Sequence, residues 1–112
     1  MSYIYHFGPA GQVGLPTYRA SLDTEGFIHC SYIEQVVRVA DALYAEAGPM
    51  EIAVVAPEKL TSLVVDEDLY DAGEAFPHLY GTIDQGAIID ILPFVRVDGR
   101  YQLPDGLPQR KR

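Results

Sequence analysis

The stretch from Ser31 to Pro49 limits the fold more than any other part of this chain. It is the one segment in which apolar residues recur at helical spacing: Ile33, Val36, Val37, Ala40, Leu43, Tyr44 and Ala47. Glu34, Arg38, Asp41 and Glu46 fall on the opposite face, so the pattern predicts an amphipathic helix over about residues 32–47. Ser31 and Glu34 have the S-x-x-E spacing of a capping box, and Gly48-Pro49 supplies a stop. A helix with one apolar stripe must cover something. The run Met50–Ala56 that follows it is apolar without alternation, as in a strand buried on both faces.

The rest of the chain is cut short by turn residues. Tyr3–Phe7 and Gly26–Cys30 read as brief strands, with Gly8–Pro16 a loop between them. Pro57–Leu60 reads as a turn and Leu63–Val65 as a strand. Asp66–Glu74, with its five acids, reads as an exposed, mobile loop. Phe76–Thr82 is expected to be extended around Pro77, and Ala87–Val97 to be a strand bulged at Pro93. Asp98-Gly99 suits a tight hairpin turn returning through Arg100–Leu103. One main helix among many short strands predicts an α+β domain over residues 1–103, with 104–112 a frayed C-terminal tail. At 112 residues, 48% hydrophobic and 21% charged, the chain has enough apolar material for one core.

Charge and cysteine usage narrow the partners. Arg110, Lys111 and Arg112 hold three of the eight basic residues, which leaves five against sixteen acidic ones in the body. Such a body repels a phosphate backbone and an anionic membrane surface, so neither nucleic acid nor membrane is expected as partner. No apolar run approaches a bilayer span, no leader pattern opens the chain, and Cys30 stands alone. A soluble, cytoplasmic protein is expected.

All three histidines lie in short motifs at the ends of expected strands: Tyr5-His6, Phe27-Ile28-His29-Cys30-Ser31, and Phe76-Pro77-His78-Leu79-Tyr80-Gly81. Imidazole is the side chain most easily used as donor, acceptor or proton carrier near neutral pH. The expectation is a cleft lined by His6, His29 and His78, with Glu67 as a carboxylate and Tyr18, Ser21, Ser31 and Tyr80 as ligand contacts. The bland alternative is three unrelated histidines, each satisfied in packing, with Glu67 only part of a solvated acidic face. A metal site is not expected, because the spacing fits no compact ligand pattern and His29 and Cys30 point to opposite faces of a strand. Cys30, then facing the core, is a small hydrophobe unless the nearby helix start lowers its pKa.

These motifs resemble a bacterial family of small domains of unknown function. Its members read I-Y-H near the start, then S-L-x-x-E-G-F-I-H-C-S, then a helix and buried strand, then F-P-H-x-Y-G. Here the segments are Ile4–His6, Ser21–Ser31 and Phe76–Gly81, and the match spans about residues 3–95. More remotely the family is similar to the ADP-ribosyltransferase fold, above all its RNA 2′-phosphotransferase branch. That resemblance implies a split, strongly bent β structure whose central cleft takes NAD or an ADP-ribosyl phosphate. It implies that His6 contacts the ribose and the nicotinamide amide, that a tyrosine stacks on the ring, and that a late glutamate polarises the ribose. The body's arginines, Arg19, Arg38, Arg96 and Arg100, abut no histidine motif, so a phosphate finds no guanidinium clamp there. Two functions follow: an enzyme acting on a nucleotide-like small molecule, with NAD as a substrate in its most concrete form, or a non-catalytic ligand-binding or regulatory module with the same cleft. A structural protein with its histidines in packing is the third reading.

Overall fold

The structure is a computed structural model that describes residues 2–110. Its first sheet has the order β1-β3-β6, built from β1 (Ile4–Pro9), β3 (Met50–Val55) and β6 (Ile88–Phe94). Both pairings are antiparallel, with Ile4 opposite Val55 and Met50 opposite Phe94. The uninterrupted apolar run of β3 is explained by its central place, where both faces are covered. β1 extends through Gly8 and Pro9, which the turn-residue count assigns to a loop. Pro9 is tolerated because β1 is an edge strand and a missing N–H costs nothing on its open side. The same reason lets β6 pass through Pro93 unbroken. The irregularity in that pairing falls at Val54/Val55 instead.

One face of this sheet carries α2 (Ile33–Leu43), with Tyr5, Phe7, Ile52, Val54 and Phe94 packed on Val36 and Ala40. The helix is shorter than its apolar period predicts at both ends. Ser31 is not the cap. Its N–H and C=O bond to Tyr5 at 2.8 Å each in an isolated antiparallel bridge, so the chain is still extended there. Tyr32 is the N-cap residue, and the Gln35 side chain accepts its N–H at 3.0 Å. At the other end the last turn expected at 44–47 has opened, and Leu43 is 70% exposed. The Arg96 guanidinium takes up the freed carbonyls, donating to Tyr44 at 3.0 Å, to Ala45, and to Ala47 at 2.6 Å.

The opposite face of the first sheet meets a second one, of order β2-β5-β4: β2 (Ile28–His29), β5 (Phe76–Leu79) and β4 (Val64–Glu67). Ile4, Ala53 and Val55 on one side and Ile28, Cys30 and Leu79 on the other form the core between them. A one-turn helix that the sequence reading lacks, α1 (Leu22–Glu25), precedes β2. It ends at Gly26, whose φ of 85° places it in the left-handed region. The expected hairpin is present as β7 (Arg96–Val97) and β8 (Arg100–Tyr101), with Asp98 and Gly99 both at positive φ. The architecture is α+β, small sheets around one main helix.

Two segments expected to be loose are held. Asp66 and Glu67 belong to β4, and the Asp68 carboxylate accepts the N–H groups of Ala72 and Gly73 at 2.8 Å. Glu74 is tied to Arg38 and Gln35. The segment 104–110 packs on the body: Leu107 is buried, and Tyr5 Oη donates to the Pro108 carbonyl at 2.7 Å. Arg110 lies 4.0 Å from the Tyr3 ring centre and pairs with Glu58. Lys111 and Arg112, expected in the tail, lie outside the described residues. No described helix is long and apolar enough to cross a membrane.

Candidate functional site

The alternation of β1 sends Tyr5 and Phe7 toward α2 and His6 toward the second sheet, opposite Ala53 of β3. There His6 is 5% exposed and both ring nitrogens are engaged. Nδ1 lies 2.7 Å from the His29 carbonyl, which can only accept, so Nδ1 carries the hydrogen. Nε2 lies 2.6 Å from Tyr18 Oη and in the neutral ring is the acceptor of the phenol hydrogen. Burial is the main cause that lowers the His6 pKa to about 4, against a smaller opposite pull from the His29 carbonyl. Burial also pushes Tyr18 up to about 12.

His29 and His78 face each other across the β2–β5 pairing, with ring centres 5.4 Å apart. Each is bound to a carboxylate, and each carboxylate to a phenol. His29 Nε2 lies 2.7 Å from Glu25, which accepts the Tyr70 hydroxyl at 2.7 Å. His78 Nδ1 lies 3.0 Å from Glu67, which also accepts the Tyr80 hydroxyl. Phe27 joins the two sets. It stacks on His78 at 4.1 Å and meets His29 edge-on at 4.9 Å. The Tyr70 ring lies over His29 at 6.0 Å. Hydrogen bonds from Tyr70 first and His29 second hold Glu25 below the usual carboxylate range, and those from Tyr80 and then His78 do the same for Glu67. The bond to Glu25 in turn pushes Tyr70 up to about 12.

Local chain geometry explains the first set. Glu25 is the last residue of α1, and the left-handed Gly26 turns the chain back so that the carboxylate meets the imidazole four residues on. Ser21 Oγ closes that turn by donating to the Phe27 carbonyl at 2.6 Å.

The structure therefore gathers His29, His78, Glu67 and Tyr80, and links His6 and Tyr18 to them through the His29 backbone. Ser21 and Ser31, expected as ligand contacts, serve the chain instead: Ser21 pins a turn, and Ser31 is buried in the bridge to Tyr5. The open cleft lined by three imidazoles is not what forms. His6 and His78 are buried, and neither the hollow beside Tyr18 nor the one beside Tyr32 has a histidine in its wall. Cys30 does face the core, and burial pushes its thiol up to about 12. Among the described residues no three metal-ligating side chains come together. Glu25, Phe27 and Tyr70 are the members the sequence reading lacks. Glu25 and Phe27 stand in the same motif as His29, so their place in it was the available signal. Tyr70, in an acidic stretch, carried none.

The site's segments coincide with a family pattern. Residues 8–91 match the model of the family described as protein of unknown function (DUF952), three quarters of the chain. The chain belongs to this family. The span holds Glu25, His29, Glu67, Tyr70, His78 and Tyr80 and begins just after His6. Among solved structures, protein CC0527 from Caulobacter crescentus superposes with a TM-score of 0.75 at 22% identity, over 89% of this chain and 93% of that one. A double mutant of CC0527 gives 0.74 at 21% identity over the same shares. At this identity the likeness is one of fold. No curated protein matches.

Proposed function

We propose that this DUF952-family chain is an enzyme acting on a nucleotide-like small molecule at the face where His29 meets Glu25, with His29 as the proton-transferring group. The observation that carries the reading is one open nitrogen. His29 Nε2 is bonded to Glu25, while Nδ1 has no hydrogen-bond partner among the described residues and the side chain is 43% exposed. In the neutral ring Nε2–H donates to the carboxylate and the lone pair sits on Nδ1. The same carboxylate then stabilises the imidazolium formed when Nδ1 takes a proton. Tyr70 and Tyr80, 58% and 40% exposed, offer ring faces for a base.

Transfer of ADP-ribose from NAD, which the remote family resemblance implies, is the concrete form of this activity. The bond from the ribose to nicotinamide breaks, an acceptor oxygen or nitrogen bonds the same carbon, and His29 takes the acceptor's proton. Glu25 and Glu67 suit the positive charge of the nicotinamide ring. His6, buried with both nitrogens engaged, holds the His29 carbonyl in this scheme and does not touch ribose. A non-catalytic binding module is the second reading, favoured by the carboxylates and phenols of the face already being paired with one another.

Incubation with NAD and assay of free nicotinamide tests the enzyme, with melting points recorded in NAD, ADP-ribose and AMP. Nicotinamide release that His29→Ala abolishes at unchanged melting point is the expected result. A raised melting point without release leaves only the binding module. No response to any of the three sinks both.

A further inference from the structure

The outer strands of the two main sheets are β1, β6, β2 and β4, and the chain closes the edges of the first three. The edges of β1 and β2 face each other. Tyr5 and Ser31 exchange backbone bonds there, and His6 Nδ1 donates to the His29 carbonyl. On β6 the outward donors are removed in another way. Pro93 has no N–H to offer, and the Ile91 N–H is taken by the Asp90 carboxylate at 2.9 Å.

β4 is treated differently. Tyr80 N–H donates to the Leu63 carbonyl at 2.9 Å, and Pro77, opposite Asp66, has no N–H. The alternation of an antiparallel ladder then points the backbone of Leu63, Val65 and Glu67 at β5, and that of Val64 and Asp66 outward. Among the described residues nothing bonds the N–H or C=O of either. Asp66 is exposed, and Leu63 and Leu69, 67% and 53% exposed, flank the strand at its two ends. An edge left in this state is a template for one more strand.

Charge selects the occupant. Among the described residues no lysine or arginine pairs with Asp66, Glu67, Asp68 or Asp71, and Arg38 is committed to Glu74. The Asp66 carboxylate accepts the Tyr32 hydroxyl, a neutral donor. A second copy adding its own β4 would set these acids against one another. We propose that the open edge of β4 binds an extended peptide bearing lysine or arginine, as a fourth strand of the second sheet. Its backbone bonds Val64 and Asp66, and its cation meets the Asp66 carboxylate. No chemistry at His29 is required.

A blocked hexapeptide alternating valine and lysine is the probe, and the same peptide with glutamate for lysine is its match. In a ¹⁵N amide titration the lysine peptide shifts the resonances of residues 62–68 saturably, and the glutamate peptide leaves them in place. Hydrogen exchange reads the added strand itself. The Val64 and Asp66 amides, fast in the free protein, slow on binding, because backbone pairing protects them and charge alone does not. Val64→Pro removes one outward donor, leaves the β5 ladder whole, and weakens binding about tenfold. Should that variant misfold, Asp66→Lys reverses the charge at an exposed position and weakens binding by a similar factor. The lysine peptide moving nothing up to its solubility limit, or shifts without protection, would each overturn the proposal. So would slow exchange at both amides before peptide is added, equal binding of the glutamate peptide, or a folded variant that binds as the parent does.

Discussion

A histidine with a pKa near 4 resists protonation at a pH where the same residue in an unfolded chain has accepted a proton. His6 is in that position, between an ordinary value of 6.5 and about 4. Over this window the unfolded state binds the extra proton, so stability rises with pH. The contribution is whole above pH 6.5 and is lost as pH falls toward 4. Two and a half pKa units correspond to about 3 kcal/mol. Glu25 and Glu67, held below the usual carboxylate range, withdraw their support only at lower pH, below about 4.5. Unfolding free energies from urea denaturation at pH 7 and 4.5 should therefore differ by most of that amount in the parent and by much less in His6→Gln. An equal drop in both would refute the assignment. Sequence alone could not separate the three histidines, because each sits beside apolar neighbours at a strand end. What divides them is the partner of each ring. His6 meets a carbonyl 23 positions away, and His78 a carboxylate 11 positions away. Only the pairing of Glu25 with His29 was short enough to read locally.

At the scale of elements, α2 is the instructive case. Its apolar period and the Gly48-Pro49 stop are local signals, and both favour four more residues of helix than form. The competing influence is remote. Arg96, on β7, gathers the carbonyls of Tyr44, Ala45 and Ala47, and its guanidinium lies 5.5 Å from the Tyr101 ring. Replacing it by alanine should cost about 1–2 kcal/mol, modest because these bonds are partly solvated. Urea denaturation checks the cost, and faster hydrogen exchange at residues 44–47 locates it. Unchanged stability and exchange would show the guanidinium to be idle. The strands were more legible. β3 was visible as a buried run, and the β7–β8 hairpin followed from Asp98-Gly99. β1 was cut short because Gly8-Pro9 means a turn in isolation and an edge strand in company.

At the scale of the molecule, the boundary drawn after Leu103 is where sequence reading lost most. Proline and basic residues mark a loose end by composition, yet segment 104–110 covers Tyr5 and Tyr3 and buries Leu107. Removing residues 104–112 should cost about 2–3 kcal/mol, the value of one lost large core side chain. A calorimetric melt with an unchanged midpoint would return those residues to the status of an appendage. The α+β class was readable, because one helical period among many short extended ones permits little else. The meeting of two sheets through the Tyr5–Ser31 bridge was not, since it needs partners far apart in the chain.

The central place of β3 has a consequence for birth on the ribosome. Its flanking partners, β1 and β6, lie at nearly opposite ends of the chain, so a nascent Met50–Val55 emerges with one neighbour waiting and the other unsynthesised. Until Phe94 has left the exit tunnel, a sticky ribbon has one border uncovered. The same arrangement makes folding a matter of long loop closures, and so a slow one for a protein this small.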